Sequence, residues 1–208
     1  MAFVFKIKLD GTSKPPVWRK VKVNESITFE DFHIIIQILF GWNNSHMYQF
    51  SPKGYGSNPN IRYHYDDDID DYYTLSSPET FPFGEYYDAE KIKLKDYFTS
   101  LKQKMTYIYD FGDDWKHILE LTDITDEKII NPVCLGGKAQ SPIDDCGGVW
   151  GYYNMVEVIN DNTHPEHEQY IEWLGFNEGE TWDVHAFDLK EINNLLIEVW
   201  NMRLEDKK

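Results

Sequence analysis

Apolar and polar residues alternate with a period of two in five stretches of the chain, and apolar residues recur every three or four positions in four others. The first pattern belongs to strands with one buried face, the second to helices laid on a core. Residues 3–9 and 17–23 read as two strands joined through Gly11 and the Pro15, Pro16 pair. In the helix that follows, Phe32, Ile35, Ile36, Leu39 and Phe40 form one stripe, Thr28 and Asp31 suit a capping arrangement, and Gly41 suits the end. His33 lies one position off that stripe, which predicts a half-exposed structural histidine. His46, Tyr48 and Phe50 alternate as a third strand. In TYIYDFGDDWKHILEL (residues 106–121), Tyr107, Tyr109 and Phe111 alternate with Ile108 and Asp110, and Trp115, His117, Leu119 and Leu121 alternate beyond a turn. This predicts a β-hairpin with Gly112 taking the positive φ of the connection.

Three helices are predicted at 152–160, 165–174 and 188–204. Thr163 and Glu166 suit a capping box with Pro165 in the first turn, Gly175 supplies a stop, and Asp188 with Glu191 opens the last helix. Strands precede helices, which implies an α+β fold: a mixed, largely antiparallel sheet with helices packed on it and a helical C-terminal half. A chain of 208 residues suits one domain over 1–208.

The periodicity lapses twice. Residues 51–91 hold seven prolines and glycines and the acidic cluster Asp66, Asp67, Asp68, Asp70 and Asp71. Tyr63, Tyr65, Tyr72, Tyr73, Phe81 and Phe83 argue against full disorder, so an acidic excursion partly ordered over the sheet is expected. The acidic run lacks the glycine and distal glutamate of a calcium-binding helix–loop–helix. Residues 131–152 read as an irregular connection whose paired glycines let backbone pass close to a ligand or to the hairpin.

Asp110, Asp113 and Asp114 gather at the hairpin turn beside Trp115 and His117, with Tyr109 and Trp42 as possible extensions of an aromatic platform. Carboxylates beside flat rings suit a small cationic ligand or a basic segment of a partner protein. The leading reading is a non-enzymatic recognition domain with an acidic–aromatic cleft between this hairpin and the PVCLGG and DDCGG connection. The plainer reading is three aspartates that cap a turn and face water. A metal-dependent hydrolase using the same acids, with His117 or His167 as ligand or base, is the competing class.

The YDFGDDWKH segment resembles the signature of the plasmid pRiA4b ORF-3-like family, a label associated with passengers of insertion elements. PPVWRKVKV (15–23), FGWNNSHMYQF (40–50), PVCLGG (132–137), DDCGGVWGY (144–152) and HPEHEQYIEWLG (164–175) resemble its further blocks in the same order, over nearly the whole chain. The resemblance implies a mixed α+β fold, carries no catalytic residue, and brings in a third reading as an accessory protein of a mobile DNA element. The family pattern often has a cysteine near Ser141, where this chain has none.

Charge narrows the partners. With 20 basic and 36 acidic residues the formal net charge is −16, so the average surface repels phosphate backbones and direct nucleic-acid binding is not expected. Lys14, Arg19, Lys20 and Lys22 form an early basic cluster, and Lys91, Lys93 and Lys95 alternate in the manner of an edge strand's wet face. No apolar run is long enough to span a bilayer, and the start MAFVFKIKLDG reads as a strand, which together predict a soluble cytoplasmic protein with no membrane partner.

Cys134 and Cys146 are too few for a disulfide framework and lack the close partners of zinc ribbons. With His164 and His167 they would complete a two-cysteine, two-histidine set if tertiary structure brought the four together. Cys134 as a nucleophile would need His117, His164 or His167 as its base. HPEHE has the wrong order and spacing for HExxH, PVCLGG lacks the GK[ST] of a P-loop, and no cofactor is predicted; a divalent metal enters only through the carboxylate or cysteine–histidine sets.

Overall fold

A computed structural model describes residues 1–63, 86–177 and 179–207. Among them are eight strands, β1 (Ala2–Leu9), β2 (Trp18–Asn24), β3 (Tyr48–Ser51), β4 (Asn60–Arg62), β5 (Tyr86–Asp88), β6 (Lys104–Tyr109), β7 (Trp115–Thr125) and β8 (Val133–Lys138). Five helices accompany them: α1 (Phe29–Phe40), α2 (Leu94–Tyr97), α3 (Gly148–Ile159), α4 (His167–Leu174) and α5 (Leu189–Asp206). The strands form one sheet in the order β5-β4-β3-β6-β7-β1-β2-β8. Every pairing is antiparallel except β4 with β5, so the α+β architecture is the one the periodicities imply. No described helix is long and apolar enough to cross a membrane.

Period two sends Phe3, Phe5, Ile7 and Leu9 of β1, Tyr107 and Tyr109 of β6, and Trp115, His117, Leu119 and Leu121 of β7 to one buried face. Helix α1 lies on that face: Phe32 meets Phe5 at 4.8 Å between ring centroids, and Phe29 meets Phe50 at 5.1 Å. Phe29, Phe32, Ile35, Ile36 and Leu39 are all buried, each contributing roughly 1.5–3 kcal/mol by leaving water. The capping box forms in full, with Thr28 Oγ1 accepting from Asp31 N at 3.1 Å and Asp31 Oδ2 from Thr28 N at 3.3 Å. Gly41 ends the helix at φ 71°. Helix α5 covers the outer side of α1, where Arg203 Nε donates to Asp31 Oδ1 at 2.7 Å.

The half-exposed placement expected for His33 is overturned: it is wholly buried, stacked on Tyr48 of β3 at 3.7 Å between ring centroids. Its Nε2 donates to Asn44 Oδ1 at 2.6 Å, leaving Nδ1 to accept from the Tyr107 hydroxyl at 2.8 Å. Arg19 is likewise no member of a basic surface patch, being only 3% exposed. Its guanidinium lies between the Phe40 and Phe187 rings, 5.3 and 4.9 Å from their centroids. It donates to the carbonyls of Leu39, Trp18, Lys138 and Ala139 and to Ser141 Oγ, the last at 2.8 Å. One inward position on β2 therefore fastens the end of α1 to the connection after β8.

Three further expectations change. Residues 133–138 form edge strand β8 rather than irregular chain, with a register shift opposite Lys20 and Val21. Its outer edge is closed by Asn193 of α5, which accepts from Cys134 N at 2.9 Å and donates to Cys134 O at 3.0 Å. Gly137 lets Phe187 and Arg19 pack against β8, because a Cβ there would stand 2.5 Å from the Phe187 ring. Lys91 lies in a turn, Lys93 makes an isolated bridge to Thr28 just before α2, and Lys95 lies in α2, so the three do not form a strand. The Thr163–Glu166 box does not form: Asp161 Oδ1 takes both Thr163 N and Oγ1, and α4 starts at His167 without a side-chain cap. The acidic cluster at 66–71 lies outside the described residues.

Candidate functional site

Three loops meet at the end of the sheet: residues 41–47 between α1 and β3, the turn 110–114 between β6 and β7, and residues 139–147 between β8 and α3. Trp42 Nε1 donates to Pro142 O at 2.9 Å, Asp110 N to Met47 O at 2.9 Å, and Gly147 N to Asp113 Oδ2 at 3.0 Å. The paired glycines approach the hairpin. At Gly148, which has φ +68°, a Cβ would lie 2.5 Å from Asp113 O, so a side chain there would push the two loops apart.

The turn differs from its expected form. Asp110 and Asp114, at φ 53° and 56°, take the left-handed conformation assigned to Gly112, and Asp114 N closes the loop on Asp110 O at 2.7 Å. Aspartate tolerates this region because its short carboxylate bonds locally, as Asp110 Oδ1 does with Gly112 N at 2.8 Å. Asn44, Ala139 and Asp145 also have positive φ, so five of the six non-glycine residues with positive φ among the described residues lie in these three loops. Such conformations concentrate where surrounding structure holds a site in shape.

The expected aromatic platform is instead the floor beneath the loops. Trp115, His117 and Tyr109 are fully buried and Trp42 is 7% exposed. Trp42 stacks on Tyr109 at 5.0 Å and meets the edge of His117 at 5.1 Å. Tyr109, Trp115 and His117 are inward strand positions and Trp42 folds over them from the loop after α1, so these ring faces are used in packing and are closed to a ligand. Burial holds the His117 imidazole neutral, lowering its pKa to about 3 and making it a poor base, and the same burial keeps its nitrogens from a metal at the surface.

The acids divide. Asp114 Oδ2 accepts from Lys116 at 2.6 Å and Asp113 holds Gly147, both roles in structure. Asp110 is 9% exposed and turns its free Oδ2 toward His46 Nε2, 3.8 Å away. Asp145 approaches the same nitrogen at 3.1 Å. Asp144, beside it, accepts from Asn43 N and from the Tyr109 hydroxyl, and burial raises its pKa. His46, read from sequence only as part of β3, thus joins Asp110 and Asp145 from three different loops.

Next to this cluster runs a groove of about 290 Å³ lined by Asp145, Cys146, Gln169, Tyr170 and Trp173. Tyr170 and Trp173 lie edge to face at 5.9 Å, and Trp173 is 47% exposed. Asn154 of α3 donates to the Tyr170 hydroxyl at 3.1 Å, and Trp150, 83% exposed, stands one helical turn before it. A second hollow of about 260 Å³ is lined by Glu30, Asn44, Ser45, His46, Met47, Tyr48 and Tyr63. Burial pushes the Glu30 carboxyl up, and it accepts from the Tyr48 hydroxyl.

Cys134, Cys146, His164 and His167 do not assemble into a metal-binding group. Cys134 bonds within β8, His164 Nδ1 accepts from Glu166 N, and His167 Nδ1 donates to Val158 O. Both cysteines are free, and burial raises both thiols, Cys146 to about 12, so neither is a ready nucleophile.

The model of the family described as plasmid pRiA4b ORF-3-like protein matches residues 1–191. The chain belongs to this family. It is similar to an uncharacterised protein, y4hQ, of Sinorhizobium fredii (strain NBRC 101917 / NGR234), at 28% identity over 191 residues, 90% of this chain and 87% of that one. It is also similar to a crystal structure of a protein of unknown function, MM3350, from Methanosarcina mazei Go1, with a TM-score of 0.71, 32% identity, and coverage of 91% of this chain and 96% of that one. The matched span includes FGWNNSHMYQF, YDFGDDWKH and DDCGGVWGY, which contribute to the three loops of the junction. The half-buried Tyr170 and the exposed Trp173 lie in the last block, HPEHEQYIEWLG. Two aromatics three residues apart in a short helical stretch rich in polar residues were the available signal.

Proposed function

We propose that this member of the pRiA4b ORF-3-like family is a recognition domain that binds an arginine-bearing basic segment of a partner protein in the groove between the DDCGG loop and α4. The observation that carries the reading is one carboxylate, Asp145, sharing a groove with two partly exposed rings, Tyr170 and Trp173. A guanidinium stacks on an aromatic face while donating paired hydrogen bonds to a carboxylate, and this groove offers both partners. Trp150 adds apolar surface close by, and the net charge of −16 favours a basic partner over nucleic acid.

A ring contact of about 0.5–1 kcal/mol with a charged hydrogen bond of about 1.5–3 kcal/mol makes one arginine a weak ligand, so measurable affinity needs a segment of several basic residues. The test is fluorescence anisotropy of a labelled, acetylated Arg-Arg-Gly-Arg peptide, with the Gln-Gln-Gly-Gln peptide and a DNA duplex as controls. The expected result is binding of the arginine peptide alone, weakened about tenfold by Trp173→Ala or Asp145→Asn and by raised salt. Equal binding of the glutamine peptide, or full binding by both variants, defeats the proposal.

A further inference from the structure

We propose that His46, Asp110 and Asp145 bind a divalent first-row metal ion, zinc or manganese, which joins the three loops at the end of the sheet. This goes beyond the groove reading: it shares Asp145 with the groove but rests on His46 and Asp110, which do not line it. One ligand atom from each residue lies within 4.8 Å of the other two. His46 Nε2 is 3.1 Å from Asp145 Oδ1 and 3.8 Å from Asp110 Oδ2. Around an ion with bonds of about 2.0–2.2 Å, neighbouring ligand atoms stand roughly 3.0–3.5 Å apart, so side-chain rotation alone completes the site.

A second observation points the same way. His46 Nε2 is shielded from solvent yet makes no hydrogen bond, although the Asp145 oxygen is within reach. The oxygen therefore stands off the axis of the ring nitrogen. Ligands at right angles around an ion stand about 45° off that axis, where an N–H bond is badly directed and a shared metal is well placed. Asp110 is correspondingly prepared: it is 9% exposed, Gly112 N occupies its Oδ1, and Oδ2 is left for the ion. An imidazole with two carboxylates selects zinc, manganese and their neighbours over calcium or magnesium, and three protein ligands leave coordination positions open to water.

The test titrates chelator-treated full-length protein with zinc, and separately with manganese, by calorimetry, and records the visible spectrum with cobalt as substitute. The expected result is one equivalent bound, with affinity reduced at least tenfold in His46→Ala, Asp110→Asn and Asp145→Asn and unchanged in His164→Ala and Trp173→Ala. Thermal unfolding without metal checks that each variant folds. Asp110→Asn keeps the acceptor for Gly112, and the Asp145 side chain is 67% exposed, so these two decide the matter if His46→Ala is unstable. Absence of saturable one-equivalent binding in the wild type, or wild-type affinity in the folded variants, overturns the site. Because Trp173 lies outside it, that outcome leaves the peptide-binding groove standing.

Discussion

Acid should unfold this protein through two histidines that the fold keeps uncharged. His117 is wholly buried among Phe40, Trp42 and Tyr107, with one bond, from Nδ1 to Trp115 O at 3.0 Å. His33 is also wholly buried, and burial lowers both pKa values to about 3. An unfolded histidine titrates near 6.5, so below that pH the unfolded chain takes up protons that the fold refuses. Unfolding therefore gains free energy as pH falls from about 6.5 toward 3, and stability is unaffected above about 7.5. Between pH 7 and 5 the loss is about 2 kcal/mol per histidine, or about 4 kcal/mol for the pair. Urea unfolding followed by tryptophan fluorescence at pH 7, 6 and 5 measures it. His117→Leu should lower stability at pH 7 by about 1–2 kcal/mol through the unsatisfied Trp115 carbonyl. It should also remove about 2 kcal/mol of the acid-dependent loss. Parallel pH curves for variant and wild type would refute the reasoning, because His117 would then be gaining its proton equally in both states.

Arg19→Met should cost about 3–5 kcal/mol in urea unfolding, since four carbonyls and Ser141 lose their donor together. Arg19→Lys should recover little, because an ammonium cannot reproduce the planar fork between Phe40 and Phe187. Gly148→Ala, strained by φ +68° and by the 2.5 Å approach to Asp113 O, should destabilise by about 3 kcal/mol and weaken zinc binding as the loops separate, measured by melting and calorimetry. Thr28→Ala should cost about 1 kcal/mol, read from the urea midpoint, through loss of the α1 cap.

Most elements were legible because each was signalled by residues close together in the chain. The capping box at Thr28, the Gly41 stop, the alternation of β6 and β7 and the Asp188 start of α5 are local devices, and the structure uses them as read. Edge strand β8 escaped because its glycines look like loop, and Asn193 closes its outer edge from 59 residues away. The hairpin was correctly located, but periodicity alone cannot tell which face becomes floor and which faces solvent. The same alternation that marks Tyr109, Trp115 and His117 as strand residues is what sends them under α1.

Local sequence therefore determined where the chain bends, caps and alternates, since those preferences act over a few residues. Tertiary structure alone decided that His46, Asp110 and Asp145 meet, that Arg19 is buried, and that the rings lining the groove beside Asp145 are Tyr170 and Trp173. Each of those outcomes depends on segments separated by tens of residues coming within a few ångströms, a distance that only the closed sheet and its covering helices set.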